Sequence, residues 1–348
     1  MVQHLPALNR PATPVCSVCI ANYNGEALLA DCVESVLRQE GGIAVEIIVH
    51  DDASDDASVD LLRRLYPQVE VIVSDENVGF CVANNRMVEH ARGTFVLLLN
   101  NDAALDLDAV STLAAATMTQ DRPGILTLPQ RDWESNELVD RGCLLDPFYN
   151  PTPNMDPARS EVAMTIGACL WMPRALWQQL GGFPEWLGSI AEDLYLCCVA
   201  RLDGYSVKVT RSSGYRHRQG ASFGGNRASI REGLRTTFRR RYLSERNKTA
   251  VMLVCTPTAI IWPLLLTHLV LLALEGATLT VIKRDGHIWT RIYGAAIAHF
   301  FRDLGRLTKQ RKVLQNSQKS TLRQYLSCFS PIPRKLALLA RYGIPGIR

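Results

Sequence analysis

The order of apolar runs in this chain predicts an α/β fold built on a mostly parallel sheet. Three observations carry that expectation. Across residues 15–100, short apolar runs alternate with segments of helical period. Several of those runs are apolar throughout, without the polar alternation of a half-exposed strand. Polar and acidic residues gather just behind the runs. Uniformly apolar strands joined by helices make βαβ units whose sheet is covered on both faces. Ligands of such sheets bind outside the carboxyl ends of the strands.

The elements follow in order. Val15–Ala21 reads as a buried strand, and Glu26–Gln39 as a helix with apolar residues at 28, 29, 32, 33, 36 and 37, ended by Gly41 and Gly42. Ala44–Val49 is the next strand and runs into the acidic stretch His50-Asp51-Asp52-Ala53-Ser54-Asp55-Asp56. Ser58–Leu65 reads as a helix, Val69–Ser74 as a strand, Gly79–Ala91 as a helix and Thr94–Leu99 as a strand ending in Asn100-Asn101-Asp102. From about 111 to 235 the pattern is mixed. The Pro-rich Asp146–Pro157 must be loop, and Glu192–Leu202 is a helix closed by Gly204. These shifts divide the chain into three expected parts: a ligand-binding half over 14–110, a second half of the same domain over 111–235, and a helical C-terminal region over 236–348.

The net charge of +4 hides a strong asymmetry. Residues 1–204 carry 12 Lys/Arg against 29 Asp/Glu, residues 205–248 carry 12 against 2, and residues 249–348 carry 14 against 3. An acidic front half argues against nucleic acid as a partner, while the basic back half suits phosphate groups or a membrane surface. The ten cysteines make no framework. Cys16 and Cys19 have C-x-x-C spacing but lie in a strand, where residues three apart face opposite ways and cannot share a metal. Reduced, buried thiols of a cytosolic protein are expected.

Candidate site residues stand at the strand ends, and each also has a plainer reading. Asp51 and Asp52 are placed to accept from a ribose hydroxyl or a base N–H, or to form an Asx-turn leading into a helix. Asn101 and Asp102 end a strand where one carboxylate beside a diphosphate suffices for Mg²⁺ or Mn²⁺; a strand-end turn is the alternative. Glu192 and Asp193 open a helix, where acids favour the dipole, yet one carboxylate in a cleft also suffices as a general base. His217 is either a metal or phosphate ligand or a structural histidine. No G-x-G-x-x-G follows the first strand, which excludes the usual dinucleotide fingerprint.

The ordered motifs VCSVCIANYNGEALLADCVESVLRQ, EIIVHDDASDDAS, ENVGFCVANNRM and VLLLNNDA resemble glycosyltransferase family 2, in its rhamnosyltransferase-like branch. The similarity continues through TIGACLWMPR, LGGF, AEDLYLCCVARLDGYSV, YRHRQGAS and RYLSERN, over roughly residues 14–250. It implies the Rossmann-like GT-A fold, an inverting reaction, a dTDP- or UDP-linked sugar donor, a divalent cation, and a saccharide acceptor that is lipid-linked. It assigns Ala21, Asn22 and Tyr23 to the nucleotide pocket, and Asp51 and Asp52 to base and ribose. Asn77, Gly79 and Asn84 become the loop and helix that close over the nucleotide. Asn101 and Asp102 fall in the D-x-D motif, with Asp102 as metal ligand. Asp193 becomes the catalytic base, and His217 faces the diphosphate or metal. Asn100 replaces the first acid of the D-x-D motif, leaving Asp102 as its one charged ligand. A UDP-hexose transferase, or an inactive sugar-nucleotide-binding protein, is the alternative.

The C-terminal region is judged on charge. Ala250–Leu274 holds 25 residues without Asp, Glu, Lys or Arg, about 37 Å as a helix and long enough for a hydrocarbon core of about 30 Å. Pro257 and Pro263 interrupt it. Basic residues flank it on both sides, and a single span would set one flank against the positive-inside tendency. A re-entrant or interfacial hairpin over 250–282, at the cytoplasmic face of the membrane, fits both flanks. A true span and a buried helix pair are the alternatives.

Overall fold

The computed structural model describes residues 2–220, 227–229 and 233–347; Ala221 and Ser222, the end of the YRHRQGAS motif, lie outside them. The chain forms two compact units, one of residues 1–143, 153–200 and 205–222, the other of residues 144–152, 201–204 and 223–348.

In the first unit the elements run β1 (Val2–Leu5), β2 (Cys16–Asn22), α1 (Glu26–Leu37), β3 (Val45–Asp52), α2 (Ser58–Leu65), β4 (Val69–Ser74), α3 (Phe80–His90) and β5 (Phe95–Asn100). They continue as β6 (Ala103–Leu105), α4 (Ala109–Met118), β7 (Ile125–Thr127), β8 (Gln130–Asp132) and β9 (Leu138–Asp140). The paired strands β10 (Cys143–Leu145) and β11 (Pro151–Pro153) fall mostly in the second unit, and the first resumes with β12 (Cys169–Pro173), α5 (Arg174–Leu180), α6 (Glu192–Leu202, its last two residues in the second unit), β13 (Val207–Val209) and β14 (Tyr215–His217).

The main sheet has eight strands in the order β1-β4-β3-β2-β5-β12-β7-β13. The central run β4-β3-β2-β5 is parallel; β1 and β12 are antiparallel to their neighbours. The parallel core was legible because its strands are buried on both faces. Cys16, Val18 and Ile20 join the apolar cluster with α1 and α4, while Cys19 points the other way. All ten cysteines are buried and none forms a disulfide. Register brings the polar strand ends level, Asn22 beside Asp51 and Ala21 beside Asn100. A second sheet, β6-β14-β8-β9, sits at that end and places His217 opposite Ala103.

The second unit contains a small sheet of β15 (Arg227–Ser229), β16 (Gly233–Thr236) and β17 (Gly346–Ile347). Its helices are α7 (Phe238–Cys255), α8 (Ile261–Lys283), α9 (Gly286–Ile288), α10 (Gly294–Asn316), α11 (Leu322–Leu326) and α12 (Arg334–Tyr342). The apolar stretch expected as a hairpin is divided unequally. Residues 249–255 are the fully buried end of α7, so that arm belongs to the core of the unit. Pro257 lies in the break, and Pro263 sits in the first turn of α8, where backbone N–H groups have no helical acceptor to lose. Helix α8 alone is long and apolar enough to cross a membrane among the described residues, and most of it is exposed. Between α7, α8 and α12 lies a buried ion cluster. Glu245 receives Lys335 at 2.8 Å, Lys248 at 2.9 Å and Arg241 at 3.3 Å; Glu275 binds Lys335 at 2.6 Å and also Arg241. Burial pushes the Lys248 ammonium down to about 8 against the pull of Glu245.

Candidate active site

The strand-end residues are tied into a belt of hydrogen bonds. Asn101 Nδ2 donates to Asn22 Oδ1 at 2.8 Å, and Asn22 Nδ2 donates to Asp51 Oδ2 at 2.8 Å. Asp51 also accepts from the Ser54 amide at 3.0 Å and its hydroxyl at 2.7 Å. The carboxylate thus closes a local turn to the amide three residues on, one wider than the Asx-turn of the plainer reading, and anchors Asn22 at the same time. Asp51 and Asp52 are the last residues of β3 rather than a loop behind it. Asp52 accepts from the Val78 and Gly79 amides at 2.8 and 2.9 Å, so it sets the loop that opens α3. Gly79 has φ +86° and ψ 165°, a region open in practice only to glycine. Asn77 is exposed on that loop, while Asn84 is buried and bonds its own helix at Phe80 O. Ala21 is partly buried and Tyr23 half-exposed beside the strand ends.

Asp193 faces the same rim. Its Oδ2 accepts from the Gly167 amide at 3.0 Å, and the next carbonyl, Ala168 O, accepts from the Asn100 amide at 3.1 Å. Two residues therefore link the start of α6 to the end of β5. The approach to α6 is strained: Ile190 and Ala191 both have positive φ, 69° and 71°, which for a β-branched residue costs on the order of 1–2 kcal/mol. Gly188 O accepts from the Cys81 amide at 3.0 Å and fastens this approach to the first turn of α3.

Asp102 and His217, 115 positions apart in the chain, meet with Nε2 3.0 Å from Oδ1, both nearly buried. Antiparallel pairing of β14 with β6 makes the contact, and the Arg218 amide donates to Asp102 O at 2.9 Å. Two ligand atoms about 3.0 Å apart match adjacent corners of an octahedral ion with bonds of about 2.1 Å. His217 Nδ1 is buried with no hydrogen-bond partner among the described residues. Asp140 lies near this histidine; burial pushes its carboxyl up to about 6 against the Gly142 amide and the pull of a charged His217. The residues thus fit a divalent cation held by one carboxylate and one imidazole.

Sequence reasoning missed three supporting residues. Asn85 clamps the Gly182-Phe183 turn by bonding Phe183 O and N at 2.8 and 3.0 Å. Arg218 stacks its guanidinium 4.0 Å from the Trp133 ring centroid and pairs with Asp31 at 2.6 Å. His50, fully buried beside Arg86, is pushed down to about 4 by desolvation and stays neutral. None carries a spacing signal, because their partners lie far away in sequence. A separate group, His4, Glu70 and His90, has ligand atoms within 4.8 Å of one another. Glu70 stands at the start of β4 and pairs with Arg10, so this group lies at the opposite end of the sheet.

Residues 17–181 match the family model of glycosyl transferase family 2. This stretch is similar to that family, and the fold it belongs to is GT-A-like. The chain is 30% identical over 220 residues to the succinoglycan biosynthesis protein ExoO of Rhizobium meliloti, covering 60% of this chain and 62% of that one. Against the first four curated relatives it matches, the chain spans 33%, 24%, 28% and 62% of their lengths. S. aureus TarS 1–349, solved in complex with UDP-GlcNAc, superposes with a TM-score of 0.57 at 18% identity, over 90% of each chain. The mannosyltransferase PcManGT from Pyrobaculum calidifontis, in complex with GDP-Man and Mn²⁺, gives 0.52 at 18%, over 92% of this chain and 88% of that one. At such identities the likeness speaks for the fold. The matched residues contain the Asn101–Asn22–Asp51 belt and Asp102, while Asp193 and His217 lie beyond them.

Proposed function

We propose that the chain is a metal-dependent, inverting glycosyltransferase. It would move a sugar from a dTDP- or UDP-linked donor, rhamnose or a hexose, to a saccharide acceptor that is lipid-linked, in polysaccharide or glycolipid synthesis. The observation that carries this reading is the convergence of Asp102, His217 and Asp193 on one rim, through Asn100, Ala168 and Gly167. ExoO is named for succinoglycan biosynthesis, and TarS and PcManGT were solved with nucleotide sugars, which supports the substrate class.

Each residue then has a task. Asp51, Asp52, Asn22 and the Asn77–Gly79 loop hold base and ribose; Ala21 and Tyr23 flank them, and Asn84 braces the helix behind the loop. Asp102 and His217 hold Mg²⁺ or Mn²⁺, with Asn101 beside them. The imidazole favours Mn²⁺, since Mg²⁺ takes oxygen ligands. When bound there, a divalent cation would supply positive charge beside the leaving diphosphate without a proton donor. Asp193 accepts the proton of the acceptor hydroxyl as that hydroxyl attacks from the face opposite the leaving group. One base and no second nucleophilic carboxylate fits inversion, unlike the carboxylate pair of retaining glycosidases. With a cytosolic donor and a lipid-linked acceptor, the protein works at the cytoplasmic face of the membrane.

The test is a thermal-shift screen of dTDP-rhamnose, UDP-glucose, UDP-GlcNAc and GDP-mannose, with Mn²⁺ or with EDTA, followed by donor hydrolysis. A true donor at about a hundredfold its Kd stabilises by about 2.7 kcal/mol. Failure of every nucleotide sugar to shift the melt or to be hydrolysed would reject the reading.

A further inference from the structure

We infer that helix α8 is a membrane-docking element that lies in the headgroup region of an anionic bilayer without crossing it. The inference rests on the cytoplasmic-face reading above and names the surface that serves it. Trp262, Leu266, Val270, Leu271, Leu274, Val281 and Ile282 are between 46% and 75% exposed. They line one side of a helix about 34 Å long at 1.5 Å per residue. A soluble surface seldom leaves so long an apolar stripe bare.

The opposite side decides against a span. Ile261, Leu265, His268, Leu272, Gly276 and Leu279 are buried against the unit's own core. His268 bonds the Thr249 hydroxyl at 2.8 Å, and Glu275 is bound to Lys335, Arg241 and the Tyr293 hydroxyl. A helix whose back carries an ion cluster of its own domain has one face for lipid, not two. The occupant follows from what flanks the stripe. Trp262 stands at one end, and Trp289 follows the other, the aromatic placement of a membrane interface. Exposed Lys283, Arg284 and Arg291 cluster at the C-terminal end with Asp285 as their local acid, which matches anionic headgroups. Helix α12, fastened to α8 by the Lys335–Glu275 pair, bears two further exposed leucines, Leu336 and Leu339.

The experiment uses the full chain with vesicles of phosphatidylcholine alone or mixed with phosphatidylglycerol, read by flotation and by quenching of tryptophan fluorescence with brominated lipid. We expect binding to the anionic vesicles that weakens with salt. Leu266→Glu with Val270→Glu should reduce partitioning by more than about tenfold, since both carboxylates must enter the interface. Both positions are exposed, so the melting temperature should stay unchanged, and Trp262→Phe combined with Trp289→Phe should remove most of the quenching. Binding that the double variant leaves intact would overturn the inference. So would a wild-type chain that ignores both vesicles but forms a dimer that the double variant breaks. Carbonate-resistant insertion, with the tail shielded inside inverted vesicles, would replace docking by a span. Donor hydrolysis is measured alongside: its absence with vesicle binding intact strikes the proposed function and not the docking, and the converse result strikes the docking alone.

Discussion

Replacing Asp193 by Asn separates a catalytic base from a helix cap, because the structure gives the two roles different costs. The amide keeps one oxygen for the Gly167 amide, 3.0 Å from Oδ2, and gives up the carboxylate contact with the Leu194 amide at 2.7 Å. As a cap, the change costs one charge-assisted bond and the dipole term, about 1–3 kcal/mol of stability at a partly exposed site. As a base, it costs the proton acceptor of the reaction. Positioned bases contribute about a hundred- to ten-thousandfold, which corresponds to about 2.7–5.5 kcal/mol of activation free energy. The expected outcome is therefore an enzyme that melts a few degrees lower, binds donor with Mn²⁺ as before, and hydrolyses or transfers at least a hundredfold more slowly. Nucleotide release measured at saturating donor reads the rate, and thermal shift reads donor binding. Turnover within a few-fold of wild type, with only the melting temperature moved, would return Asp193 to the capping role and refute the assignment.

Further outcomes follow from the same geometry. Asp102→Ala should abolish the Mn²⁺ dependence of donor stabilisation; a wild type fully active in EDTA would remove the metal from the account. His217→Ala should weaken Mn²⁺ by roughly ten- to a hundredfold while leaving the metal-free melt little changed, by analogy with loss of groups that orient a metal site. Gly79→Ala should cost about 1–3 kcal/mol from backbone strain at its φ of +86°, its Cβ making only an ordinary contact with Gly188 O at 3.4 Å, and donor affinity should fall with stability; calorimetry and a donor titration check both. His268, held neutral down to about 3, and His50, down to about 4, each gain a proton near 6.5 once unfolded. Unfolding thus takes up protons below about 6.5, and stability falls by about 1.4 kcal/mol per pH unit for each histidine as pH drops. Denaturant midpoints between pH 5 and 7 for His268→Gln should show a shallower slope than wild type.

The parallel core was readable because burial on both faces leaves strands without alternation, and the helices between them have clear periods and glycine ends. Ser58–Leu65, Val69–Ser74 and Glu192–Leu202 stand where the pattern put them. The register that sets Asn22 beside Asp51 is a pairing between strands and leaves no mark in either one alone. The resemblance named Asp102 and His217 together, but the strand pairing that brings them into contact was not legible, since a three-residue strand has no period to read. The apolar run after residue 249 misled for a physical reason. Hydropathy cannot tell the buried end of α7 from the bare face of α8, because both are apolar and only their neighbours differ.

The meeting of Asp102 with His217 also has a temporal side. The belt around Asn22, Asp51 and Asp52 needs only the first hundred or so residues, and its contacts span 3 to 79 positions. The Asp102–His217 pair must wait for 115 further residues. At a synthesis rate of about 5–20 residues per second, that is a delay of roughly 6–23 s. During that interval the nascent chain has the strand ends that carry Asn22, Asp51 and Asp52 but not the histidine that meets Asp102. On the proposed reading, the nucleotide side of the site would therefore be made before the metal side, and α8, at residues 261–283, is made later than both.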